Sequence, residues 1–88
     1  MESFKRSSKV SFRAADDELV LLHLETGNYY TLNETGRHIW EYCSTPRSLN
    51  EIIEYMASAY TLPLSQVQSD IVPYVQFLYQ ENLFEKKY

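Results

Sequence analysis

Apolar positions recur along this chain with two different periods, and the change falls at Leu32. Up to that point the period is two. Val10 and Phe12 alternate with Ser11 and Arg13 as a short edge strand would. Ala14-Ala15-Asp16-Asp17 reads as a turn, and Glu18 to Glu25 (ELVLLHLE) is short and strongly apolar, which suits a central strand better than a helix. Thr26-Gly27-Asn28 is a hairpin signal because Gly and Asn tolerate positive φ, and Asn28 to Leu32 (NYYTL) returns as the partner strand. A loop of either two or four residues gives the same facing. Tyr30 and Leu32 then share a face with Leu19, Leu21 and His23, while Tyr29 and Thr31 lie with Val20, Leu22 and Leu24. Both faces are partly apolar, so both are expected to need cover.

Beyond Leu32 the period becomes three to four. Asn33 is a good N-cap, and Gly36, Ile39, Trp40 and Cys43 mark one face of a short helix that Thr45-Pro46 ends. Ser48-Leu49-Asn50-Glu51 is a capping box opening a second helix, whose apolar face is Leu49, Ile52, Ile53, Met56 and Tyr60. After Thr61-Leu62-Pro63 a third helix is expected to open at another box, Ser65-Gln66-Val67-Gln68, with Val67, Ile71, Tyr74, Val75 and Leu78 on one side. Pro73 removes one of its backbone hydrogen bonds and should bend it. Leu83 and Phe84 are expected to fold back and close the core. Residues 1–9, polar and basic, are expected to form a flexible N-terminus, leaving a domain over residues 10–85. The order defines an α+β, winged-helix-like fold: a three-stranded antiparallel sheet followed by three α-helices.

With 88 residues there is room for one domain. Cys43 is the single cysteine, so no intrachain disulfide can form, which fits a reducing compartment. Met1 to Arg6 is not followed by the apolar run of a secretory signal, and the longest apolar run, Leu19 to Leu22, falls far short of a membrane span. A soluble, cytoplasmic protein without a membrane partner is expected. The net charge of −4 matters less than its distribution, because no Lys or Arg stands between Arg47 and Lys86. A winged-helix DNA reader needs phosphate-neutralising cations around its recognition helix, whereas the second and third helices carry Glu51, Glu54, Asp70 and Glu81. No nucleic-acid partner is expected.

Nothing in the sequence points to catalysis. His23 and His38 have no Cys, Asp or Glu at ligand spacing, so no metal is expected. Cys43 falls on an apolar helix face beside Trp40, where a thiol is buried and inert. Asp16-Asp17-Glu18 lies in a turn without apolar shielding. Nucleophile-elbow, P-loop and dinucleotide-binding motifs are absent, and no cofactor is expected.

The strand Asn28-Tyr29-Tyr30-Thr31-Leu32 carries more information. It is the last strand before the helices and, if the first strand pairs beyond the hairpin, it is a sheet edge with no Lys, Pro or bulge to protect it. Such an edge accepts a guest strand by β-augmentation, with side-chain pockets supplied by a neighbouring helix. The stripe Val67, Asp70, Ile71 and Tyr74, at i, i+3, i+4 and i+7 of the third helix, is the candidate wall. Val67 and Asp70 are expected to serve the guest with small effects on thermal stability. A different class, a dimerising winged-helix domain that buries this edge against itself, remains open.

Gly27-x-Tyr29-Tyr30-x-Leu32-Asn33-x-x-Gly36-x-x-Ile39-Trp40, Ser48-Leu49-x-x-Ile52, and Asp70-Ile71 followed by Tyr74-Val75-x-x-Leu78 and Leu83 resemble the PqqD-like family of peptide-recognition elements over about residues 10–85. The resemblance implies a three-stranded sheet followed by three helices, and non-catalytic capture of the leader of a ribosomally made precursor peptide beside the third strand. The chain departs from the quinone-pathway members at Leu24-Glu25-Thr26-Gly27, where they carry a Pro-Glu-Gly turn, and at Asn82, where glycine is common. It is more similar to the free-standing recognition proteins of lasso-peptide pathways. That likeness implies a cysteine-protease-like leader peptidase and an ATP-dependent cyclase as partners. The alternative within the family is a chaperone for a radical-SAM peptide-modifying enzyme.

Overall fold

The computed structural model describes residues 2–88. Its main sheet is an antiparallel meander of β2 (Val10–Ala15), β3 (Glu18–His23) and β4 (Tyr29–Leu32), in that order. A tight turn at Asp16-Asp17 joins β2 to β3, with Asp16 at φ 58°, a conformation that Asp tolerates better than most residues. The β3–β4 loop is the four-residue one, Leu24 to Gly27. His23 N donates to Asn28 O at 2.9 Å, Gly27 N donates to His23 O at 2.8 Å, and Gly27 takes φ 78°. The buried His23 ring steadies this loop, its Nδ1 accepting the Glu25 N–H at 3.2 Å. The register Leu19↔Leu32, Val20↔Thr31, Leu21↔Tyr30, Leu22↔Tyr29 sorts the faces as the alternation requires. Leu19, Leu21, His23 and Leu32 are buried. Only that face is covered; on the other, Val20 and Leu22 are half-buried, and Leu24 and Tyr29 stand exposed.

Three helices cover the inner face. In α1 (Glu34–Tyr42), Asn33 Oδ1 caps the Gly36 N–H at 2.9 Å. In α2 (Leu49–Tyr60) the box forms in full: Ser48 Oγ accepts from Glu51 N at 3.1 Å, and Glu51 Oε1 accepts from Ser48 N at 2.8 Å. The second expected box does not form. α3 (Leu64–Gln80) begins at Leu64, because Pro63 is already its N-cap with extended backbone at ψ 145°. Ser65 is therefore inside the first turn, and its carbonyl accepts from Ser69 Oγ at 3.2 Å. α3 continues through Pro73, which lies on its exposed side.

The two chain ends depart most from expectation. Met1 lies outside the described residues, and residues 2–9 are not a free tail: β1 (Ser3–Arg6) pairs antiparallel with β5 (Phe84–Lys87) as a second, two-stranded sheet, in the register Ser3↔Lys87 to Arg6↔Phe84. Phe4 is the anchor. It is buried, 6.1 Å from the Tyr79 ring and 6.5 Å from Phe84, and its backbone exchanges hydrogen bonds with Arg47 at 2.7 and 2.9 Å. The other edge of β1 is thus satisfied by the α1–α2 connection, and the folded unit extends past residues 10–85 at both ends. Leu83 and Phe84 do close the core, around Trp40, Leu21, Leu32, Ile39, Ile52, Met56, Val75 and Leu78.

Candidate functional site: the β4 edge and the α3 pocket

Among the described residues β4 pairs with β3 alone, so its other side is a free edge. The bond from His23 N to Asn28 O sets the alternation along it. Asn28, Tyr30 and Leu32 direct backbone groups into the hairpin, while Tyr29 and Thr31 turn their N–H and C=O outward. Of the five strand residues singled out, two therefore offer an open backbone, and Leu32 is buried core. Asn28 is committed twice, since its N–H also donates to Thr26 Oγ1 at 3.2 Å.

α3 runs beside this edge, and two tyrosines bridge the space. Tyr30 meets Phe77 edge-on at 6.4 Å and donates its hydroxyl to Glu81 Oε1 at 2.8 Å. That bond, followed by desolvation, raises the Tyr30 pKa above its ordinary value, because ionisation would destroy the donor and set two negative charges together. At the other end, Tyr74 donates to the capping Asn33 Oδ1 at 3.3 Å and lies over the first turn of α1. Gly36 leaves room for it; a Cβ there would collide with the Tyr74 hydroxyl. Burial also raises the Tyr74 pKa.

Beside Tyr74 opens a cavity of about 150 Å³ lined by Thr35, Met56, Tyr60, Leu62, Val67, Asp70 and Ile71. Val67 and Ile71 are buried, whereas Asp70 is exposed, a carboxylate beside an otherwise largely apolar pocket. The structure thus brings three of the four helix candidates together and places Tyr74 one turn further along. It corrects the expectation for Val67, which is only 3% exposed and so belongs to the core as well as to the pocket. Met56, Tyr60 and Leu62 were read as helix core and a connection; their role in the wall depends on how α2 packs against α3.

Cys43 is fully buried, and desolvation, partly offset by Arg47 and Arg6, pushes its thiol up to about 12. Among the described residues no three His, Cys, Asp or Glu side chains gather as a metal would require.

An unguarded edge strand, a helix alongside it and an apolar pocket among α1, α2 and α3 define a winged-helix-like domain shaped to receive an extended chain. The chain belongs to the PqqD family: the family model described as Coenzyme PQQ synthesis protein D (PqqD) matches residues 18–83. Among solved structures, it is similar to TbiB1 in complex with the TbiA(beta) leader peptide, at 32% identity and a TM-score of 0.81, over 92% of this chain and 94% of that one. It shares its fold with a lasso peptide synthetase B1 complexed with the leader peptide, at 23% identity and a TM-score of 0.78, over 93% and 96% of the two chains. No curated protein matches the sequence.

Proposed function

We propose that this chain is a RiPP recognition element of lasso-peptide biosynthesis, a non-catalytic module that binds the leader of a precursor peptide as an added strand on β4. The observation that carries the reading is the open backbone of Tyr29 and Thr31 on a strand that leads into α1, whose Thr35 lines the apolar pocket of α2 and α3. Energetics assign the two parts different tasks. Two donors and two acceptors contribute about 2–6 kcal/mol net, short of the roughly 8 kcal/mol of a micromolar complex. Apolar guest side chains in the pocket of Val67, Ile71, Met56 and Leu62 supply the remainder, and Asp70 reads a polar group at its mouth. The ladder holds any extended chain; the pocket selects one.

The 32%-identical relative was solved with a leader peptide, which supports the same class of guest here. The leader, once held, is presented to a cysteine-protease-like leader peptidase and an ATP-dependent cyclase in the cytoplasm. The test is amide hydrogen exchange with the leader of the precursor peptide encoded beside this gene. Protection gained at Tyr29 and Thr31 supports the reading, and an exchange pattern unchanged at saturation refutes it.

A further inference from the structure

Among the described residues, the edge of β2 that faces away from β3 is also open. Leu24 N donates to Lys9 O at 2.9 Å, so Ser11 and Arg13 bond to β3, and Phe12 and Ala14 turn their N–H and C=O outward. Two groups near this edge lack the partner their chemistry calls for. The Arg6 guanidinium lies 4.7 Å over the Phe12 ring and 6.0 Å from that of Trp40, and among the described residues no carboxylate forms an ion pair with it. Trp40, edge-on to Phe12 at 5.6 Å, is fully buried, and among the described residues its Nε1–H has no acceptor. Buried donors without partners are rare in folded proteins. Charge points the same way. Residues 2–13 hold Lys5, Arg6, Lys9 and Arg13 against the single carboxylate Glu2, in a chain whose net charge is −4, and of these four cations only Lys9 forms an ion pair among the described residues, with Glu25 at 3.0 Å.

We infer that the β2 edge is a second strand-accepting surface, for an extended acidic segment of a partner protein whose backbone pairs with Phe12 and Ala14 and whose carboxylate meets Arg6 beside Trp40. The acidic turn Asp16-Asp17-Glu18 closes the far end of β2, so the guest's carboxylate belongs at the Arg6 end. A second copy of this chain is a poor occupant. Pairing β2 with β2 about a two-fold axis near Phe12 brings two Arg6 guanidinium groups together, and like charges placed opposite each other destabilise a strand pair.

Trp40 is the only tryptophan, so its indole N–H gives one resonance at the site. The experiment titrates a blocked pentapeptide alternating valine and glutamate into the 15N-labelled full chain. Saturable shifts of the Trp40 indole and of the Phe12 and Ala14 amides are expected, with Tyr29 and Thr31 unmoved, and Arg6→Gln should weaken the peptide at least tenfold. The same peptide with lysine for glutamate tests charge without altering the protein, and should leave the Trp40 signal in place. Silence at millimolar peptide, equal shifts with the lysine version, or shifts confined to Tyr29 and Thr31 would each overturn the inference and leave Arg6 as a guard of the edge.

Discussion

The two outer strands of the three-stranded sheet, β2 and β4, present the same backbone chemistry to solvent in different surroundings. β4 carries no charged side chain along its length, and α3 runs beside it with the pocket of Val67, Asp70 and Ile71. β2 carries Arg13, has Arg6 folded over Phe12, and ends in an acidic turn. An unpaired row of N–H and C=O groups is thus a general acceptor, and its neighbours decide what it accepts. On the proposed reading, selection beside β4 is by shape and apolar burial. Beside β2 it is by charge.

The most severe way to separate the two edges is to remove the β1 anchor, which holds Arg6 near β2 and touches nothing at β4. Phe4→Ala should cost about 3–5 kcal/mol of stability, as for a large aromatic deleted from a core, read from urea unfolding. Leader affinity, measured well below the transition, should stay within twofold of the parent. A parallel loss of affinity would mean that the edges are coupled through the core.

A direct contrast uses proline at matched outward-facing positions. Thr31→Pro should weaken leader binding by about 2–3 kcal/mol, roughly 30- to 150-fold, because it deletes an outward N–H without touching the β3 ladder. Ala14→Pro makes the same change on β2 and should leave leader affinity unchanged. Calorimetric titration of both variants decides it; equal losses would remove the distinction.

Within the β4 site, Asp70→Ala should reduce leader affinity by about 1–3 kcal/mol, the range of interface anchors, and leave the melting temperature unchanged. Val67→Ala should lower both, since its side chain is buried. A melting curve beside each titration separates a rim residue from a core one.

The smallest expected effect is alkaline. The Tyr30 pKa is raised in the folded state, chiefly by the bond to Glu81, so its contribution to stability is complete below the ordinary value of 10.0 and is lost as pH rises towards the folded value. Cys43 acts in the same direction between 9.0 and about 12. Stability should therefore decline above about pH 9, and Tyr30→Phe should make the decline shallower above pH 10. An unchanged slope in thermal melts would remove the Tyr30–Glu81 bond from the account.

Legibility in the sequence followed the range of the interactions involved. The β3–β4 hairpin, the Asn33 cap and the Ser48 box rest on residues within a few positions of one another, and all three form as their spacing predicts. The box at Ser65 had the same local pattern and failed because Pro63, two residues earlier, already set the first turn of α3. β1 and β5 were missed because each is four residues long and its partner lies about 80 residues away, so neither shows a period. At the site, the stripe of Val67, Asp70 and Ile71 was visible from helical spacing. Which strand residues face outward was not, because that parity depends on the hairpin bond between His23 and Asn28. Met56, Tyr60 and Leu62 join the wall only through the packing of α2 on α3.

The pairing of β1 with β5 also sets how the domain answers force. Ser3 and Lys87 are register partners at the open end of that ladder, so pulling on the two termini loads its rungs one at a time, as a zipper, rather than all together in shear. The first rupture should be gentle and should stop one rung in, at Phe4, whose buried ring holds β1 to the core. A domain tethered through both ends would thus give up β1 and β5 only once Phe4 leaves the core, before the β2–β3–β4 sheet is loaded. It has a mechanical fuse at the corner where its ends meet.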